Sequence, residues 1–87
     1  MKTLARPIEV LAYTDTLGNM SPLRFKAKTK DDADVIINVD KVESRELEKM
    51  AGNLMLLYKC KGVVNEKQRD FELKFEIRSC KWILWKM

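Results

Sequence analysis

The chain contains no histidine. It therefore lacks the commonest general acid/base and the commonest metal ligand among side chains. Its only two cysteines, Cys60 and Cys80, form no C-x-x-C pair, so the thiols alone cannot build a zinc site. A cysteine nucleophile would need a different base, and neither thiol lies in a glycine-rich or helix-starting context. Three glycines are too few to make a phosphate-cradling loop. Asp31, Asp32 and Asp34 read as a solvated turn, without the spaced ligands and closing glutamate of a calcium loop. The expectation is a non-catalytic protein that uses no cofactor and no metal.

Long apolar runs are also missing. No segment approaches the roughly 20 apolar residues that a membrane-spanning helix needs. Arg6, Pro7 and Glu9 break the opening stretch before a secretory signal can develop. These absences point to a cytoplasmic protein with reduced thiols and no membrane partner. A Cys60–Cys80 bridge stays open only if their strands are neighbours.

The 87 residues that are present form one domain, residues 1–87, with 46% hydrophobic and 34% charged side chains. That balance supports a folded chain with a small core and much surface. An oligomeric contact or very economical packing would help it. The net charge of +4 is uneven, because residues 54–87 carry eight basic and four acidic groups. Such a charge permits contact with nucleic acid, although the basic residues are interleaved with acids.

The clearest pattern is Phe71 to Ile77, FELKFEI, in which apolar and charged residues alternate with a period of two. That is a strand with one dry face. Trp82 to Trp85 follows as its hairpin partner, after a tight turn at Arg78 to Lys81 that contains no glycine. Ile8 to Thr14 is an earlier strand, with Ile8, Val10 and Ala12 on one face and Leu11 and Tyr13 on the other. Both faces being apolar predicts a curled strand whose second side is partly covered. Thr14 to Pro22 is dense in turn residues and predicts the first hairpin loop. Leu23, Phe25 and Ala27 then alternate with Arg24, Lys26 and Lys28, giving one apolar and one basic face. Val35 to Val39 is β-branched and predicts a strand.

Residues 40–53 are ambiguous. Asp40 with Glu43 fits a capping box, and Gly52-Asn53 would end a helix. The competing pattern is a strand that continues past a bulge near Asp40. The reading favoured is a strand to about Arg45, then a helical turn or short helix over Glu46–Ala51. Leu54 to Val64 is a further strand with Gly62 marking a bulge or bend, and Asn65 to Gln68 is a turn. Five to six short strands at this spacing predict a mainly β chain: a small SH3-like antiparallel β-barrel with at most one short helix. An OB-like barrel is the alternative.

The turn TDTLGN with its tail SPLRF, the block LLYKCKG and the final aromatic strand resemble a group of short uncharacterised proteins from Gram-positive bacteria. The resemblance implies a small β-barrel and carries over no functional residue. The chain departs from that pattern at KMAGN and across NEKQRDFELKFEIR.

Two candidate surfaces follow. Met55 and Leu57 fall on the face opposite Leu54 and Leu56, and with Trp85 or Ile83 they predict an outward apolar patch for a protein partner or for self-association. Trp82 and Trp85 have opposite parity, so one of them points outward. The alternative is a nucleic-acid interface of Arg24, Lys26, Lys28, Lys59 and Lys61, which forms a stripe only if the two strands that carry them adjoin.

Overall fold

The computed structural model describes residues 1–87 as seven strands and no helix. They are β1 (Thr3–Thr14), β2 (Met20–Lys28), β3 (Asp34–Asn38), β4 (Lys41–Met50), β5 (Asn53–Val64), β6 (Lys67–Glu76) and β7 (Lys81–Lys86). All pairings are antiparallel, in the order β3-β2-β1-β7-β6-β5-β4. The first and last strands are neighbours. Lys2 and Met87 also exchange backbone hydrogen bonds of 2.9 and 3.1 Å, which ties the two ends together.

The chain is mainly β, as its alternation predicts, but it has seven strands rather than five to six. The extra strand arises at Val39–Asp40. Val39 N–H donates to Leu23 O on β2 (2.8 Å), and the next residue, Asp40, donates to Lys61 O on β5 (2.9 Å). The chain changes partner within one peptide unit, so one apolar-to-polar run becomes two strands, β3 and β4. Strand β1 divides its pairing in the same way. Thr3–Ile8 face β7, and Glu9–Thr14 face β2. These two changes of partner curl the sheet into a half-barrel.

Gly62 sits beside the β3–β4 corner. A Cβ there would run into the Asn38 carbonyl and the Phe71 ring, so the close approach of β3 to β5 requires glycine.

The helix predicted over Glu46–Ala51 does not form. Glu46, Leu47 and Glu48 instead pair with Leu57, Leu56 and Met55. The pair Met50–Asn53 closes a two-residue loop at Ala51–Gly52, with φ of 49° and 83°. Two successive positive φ values mark the hairpin turn whose twist matches the flanking strands. The Gly52-Asn53 signal is therefore a hairpin signal rather than a helix stop. Asn65–Glu66 forms the same kind of loop, with φ of 52° and 66°, so Lys67 and Gln68 belong to β6 rather than to the predicted turn. The β6–β7 turn falls one residue earlier than predicted, over Ile77–Cys80, and Cys80 supplies its positive φ of 59°.

The interior consists of Phe25, Ile37, Tyr58, Cys60, Phe71, Leu73, Trp82 and Leu84. Phe25 meets Phe71 edge-on at 5.3 Å, and Trp82 packs at 5.4 Å from Tyr58 and 5.0 Å from Phe75. The Tyr58 hydroxyl donates to Met20 O at 2.6 Å, so the one polar atom of this ring is satisfied and joins β5 to β2. The Cys60 thiol is buried within the core and the Cys80 thiol is exposed; both are free.

Candidate interaction surfaces

The outer face of the β4–β7 sheet is built from the residues whose alternation points away from the core. Across the strands, Glu46, Leu57, Lys74 and Ile83 form one row, and Glu48, Met55, Glu76 and Lys81 form the next. Trp85 projects from β7 beside them, at an irregularity opposite Glu72–Leu73. The structure therefore brings Met55, Leu57 and Trp85 to one face. It also covers part of that face with the chain's own side chains. Lys74 is only 6% exposed, although it lies on the outside of the sheet. Its ammonium lies 3.8 Å from the centre of the Trp85 ring and 3.0 Å from Glu48 Oε1. The aromatic face and the carboxylate both favour the positive charge. Leu57, its cross-strand neighbour, is 7% exposed. The surface predicted as an open apolar patch is thus largely closed by a tryptophan laid over a lysine, without any helix. Met55 and Trp85 stay half-buried.

The outer face of β1, β2 and β3 is the opposite case. Leu11, Tyr13, Leu23 and Ile36 are 52%, 58%, 46% and 54% exposed. The expectation that Leu11 and Tyr13 would be partly covered is overturned, because no layer packs outside β1. The alternation predicts Leu23 on the inner face with Phe25 and Ala27. A bulge displaces it: Leu11 pairs with Arg24 but Ala12 pairs with Pro22, leaving Leu23 as the extra residue. Pro22 takes the buried position instead. In sequence, only the apolar residues at both parities of β1 signalled this surface.

Arg24 lies in the middle of it, paired with Leu11 on β1 and Asn38 on β3. Lys26 bonds Glu9 at 3.2 Å, and Lys28 bonds Asp34 at 2.8 Å. The hydrogen bond from Lys26 to Glu9 raises the lysine pKa, and the Lys28 bond lowers that of Asp34. Arg24 makes no ion pair. A shallow depression of about 230 Å³ lies between Leu11, Arg24 and Ile36.

The five basic residues do not form a stripe. Arg24, Lys26 and Lys28 are on β2 and Lys59 and Lys61 on β5; the two strands do not pair, being separated by β1, β7 and β6 along the sheet and by β3 at the Gly62 corner. Lys59 lies 4.0 Å from Glu46, and Lys61 lies between Asp70 at 3.0 Å and Glu43 at 3.4 Å. Hydrogen bonds to Asp70 and then Glu43 raise the Lys61 pKa. The condition on which the nucleic-acid interface rested, adjoining strands, is not met.

A further exposed apolar set, Leu47, Met50, Leu54 and Ile77, sits at the ends of the β4–β5 and β6–β7 hairpins. Asn53 Nδ2 donates to Glu76 Oε2 (2.8 Å) and Ile77 N–H to Leu54 O (3.2 Å), lacing the two ends together. Bonds from Ser79 and Asn53 lower the Glu76 pKa. No helix is long and apolar enough to cross a membrane. No family model matches the chain, and neither a curated protein nor a solved structure matches it.

Proposed function

We propose that this protein is a non-catalytic interaction module whose contact surface is the outer face of β1, β2 and β3. One observation carries the reading. Four large apolar side chains, Leu11, Tyr13, Leu23 and Ile36, stand about half exposed around an arginine that has no carboxylate. Tyrosine and arginine amid aliphatic residues are the composition of an interface core. The site works as the surface of an SH3-like small barrel works, with contacts displayed on a stiff β scaffold rather than enclosed in a cavity. A cytoplasmic setting, and kinship with the short Gram-positive β-barrel proteins, belong to the same proposal. The two free thiols support a reducing compartment.

A photo-reactive residue placed at position 13 or 36 should cross-link a protein partner or a second copy in cells. The same residue at position 55 or 83, on the face closed by Trp85, should not. Cross-links from positions 55 and 83 alone would return the contact surface to Met55 and Trp85. Cross-links from none of the four would remove the reading. A gel-shift series with generic RNA and DNA at falling salt should show no binding through the basic set of β2 and β5, because Lys26, Lys28, Lys59 and Lys61 are each already paired with a carboxylate.

A further inference from the structure

We infer that the face around Arg24 takes a partner segment in which a carboxylate lies beside an apolar side chain. The inference rests on the reading of this face as the contact surface, and it names the chemistry that the surface selects.

The charge arrangement comes first. Of the three cations that β2 presents outward, Lys26 and Lys28 are committed to Glu9 and Asp34. Arg24 alone keeps its guanidinium free, so the face is positive by one charge at one place. A guanidinium offers a planar fork of donors that fits a carboxylate with two parallel hydrogen bonds. A single free cation suits one carboxylate and not a run of phosphates, which would need several. A second copy docked face to face would set its own Arg24 against this positive surface.

The second element is shape. The shallow depression of about 230 Å³ lies beside Arg24, with Leu11 and Ile36 at its edges and the Glu9–Lys26 ion pair in its lining, so that the Glu9 charge is already met by Lys26. An aliphatic or aromatic side chain can rest there against Leu11 and Ile36. Leu11 on β1 and Arg24 on β2 are directly opposite each other, and Ile36 on β3 is opposite Lys26, two residues along β2 from Arg24. The apolar edge of the depression at Leu11 and the guanidinium are thus one cross-strand step apart. A partner residue in the depression and a carboxylate on Arg24 are therefore adjacent in the partner chain, or belong to one terminal residue. Tyr13, two residues along the same face of β1, extends the apolar surface for a following side chain.

The test uses the smallest probe with both features. N-acetyl-leucine carries a carboxylate and an isobutyl group, and N-acetyl-leucinamide keeps the isobutyl group without the charge. Titrated into ¹⁵N-labelled protein, the carboxylate probe should shift the backbone amides of Leu11, Arg24 and Ile36 saturably. The amide probe should bind at least about tenfold more weakly, and Arg24→Gln should remove that difference while leaving the melting temperature unchanged. Added salt should weaken only the carboxylate probe. Equal binding of both probes, shifts centred on Trp85, or an unaltered preference in Arg24→Gln would each overturn the inference. A short single-stranded oligonucleotide shifting the same amides more strongly would also overturn it, in favour of nucleic acid. If neither probe binds while the cross-links from position 13 persist, the contact surface stands and its carboxylate preference falls.

Discussion

The two outer faces of the curled sheet show opposite treatments of the same materials. Each has outward apolar side chains and a basic residue near the centre of a row. On the β4–β7 face, Trp85 lies over Lys74, Glu48 neutralises the ammonium, and Leu57, the cross-strand neighbour of Lys74, is buried. On the β1–β3 face, Arg24 has no carboxylate, and Leu11, Tyr13 and Ile36 stay open. A long side chain with a large aromatic beside it can roof a sheet locally. Where the neighbouring positions hold leucine and tyrosine but no tryptophan reaches across, no roof forms. The difference teaches that outward parity alone does not make a surface available. What matters is which side chains are long enough to lie down on it.

The comparison breaks most readily at Leu57. Leu57→Ala should cost about 2–4 kcal/mol, the range for truncating a buried aliphatic residue, measured by chemical denaturation. A change below about 0.5 kcal/mol would mean that the face is open after all. Trp85→Ala removes the cover itself. It should cost about 2 kcal/mol and leave Lys74 reactive toward an amine-modifying reagent that the native protein resists, read by mass spectrometry.

High pH tests the packed side from within. Burial, and then the charge of Glu43, push the Cys60 thiol from 9.0 up to about 12. Burial also raises the Tyr58 phenol above its ordinary value of 10.0. In each case the folded protein keeps a proton that the unfolded chain has already released. Stability is therefore level below about pH 9 and falls as the pH rises from there toward 12, by about 3 kcal/mol near pH 11 for the thiol. Cys60→Ala should flatten the first part of that decline in denaturation curves taken at successive pH values.

Tyr58→Phe removes the bond to the Met20 carbonyl and should cost about 1–2 kcal/mol, because a partly buried acceptor loses its donor. The smallest effect belongs to the open face. Tyr13→Ser should change stability by no more than about 0.5 kcal/mol while abolishing any cross-link that forms at position 36. A large loss of stability there would show that Tyr13 is structural and remove the contrast between the two faces.

Much of this fold was legible from residue order. The period-two alternation of FELKFEI placed Phe71, Leu73 and Phe75 inward, and the opposite parity of Trp82 and Trp85 required one of them to face out. Composition alone excluded a histidine-based site, since no fold can supply a residue that is absent. Local signals failed where two structures share one sequence signature. KVESRELEKMAGN contains good helix formers, yet it pairs as a strand because β5 offers a hydrogen-bonding edge and Ala51–Gly52 a hairpin turn. Helix propensity is worth only tenths of a kcal/mol per residue, and a neighbouring edge outweighs it.

The candidate surface was half legible. Arg24, Lys26 and Lys28 share a face by parity, which the sequence states directly. Their difference in pairing depends on Glu9 from β1 and Asp34 from β3, and that is a matter of register between strands. The outward turn of Leu23 depends on a bulge that only the β1–β2 pairing reveals. Covering is likewise a tertiary property, because Trp85 and Lys74 come from different strands and meet only once β6 and β7 are aligned. The amino-acid order by itself determined which residues share a face wherever a strand stays regular, because side-chain direction along a strand alternates with backbone geometry. Which outward residues remain free to meet another molecule was decided only by the sheet's register and curl, because availability depends on neighbours distant in the chain.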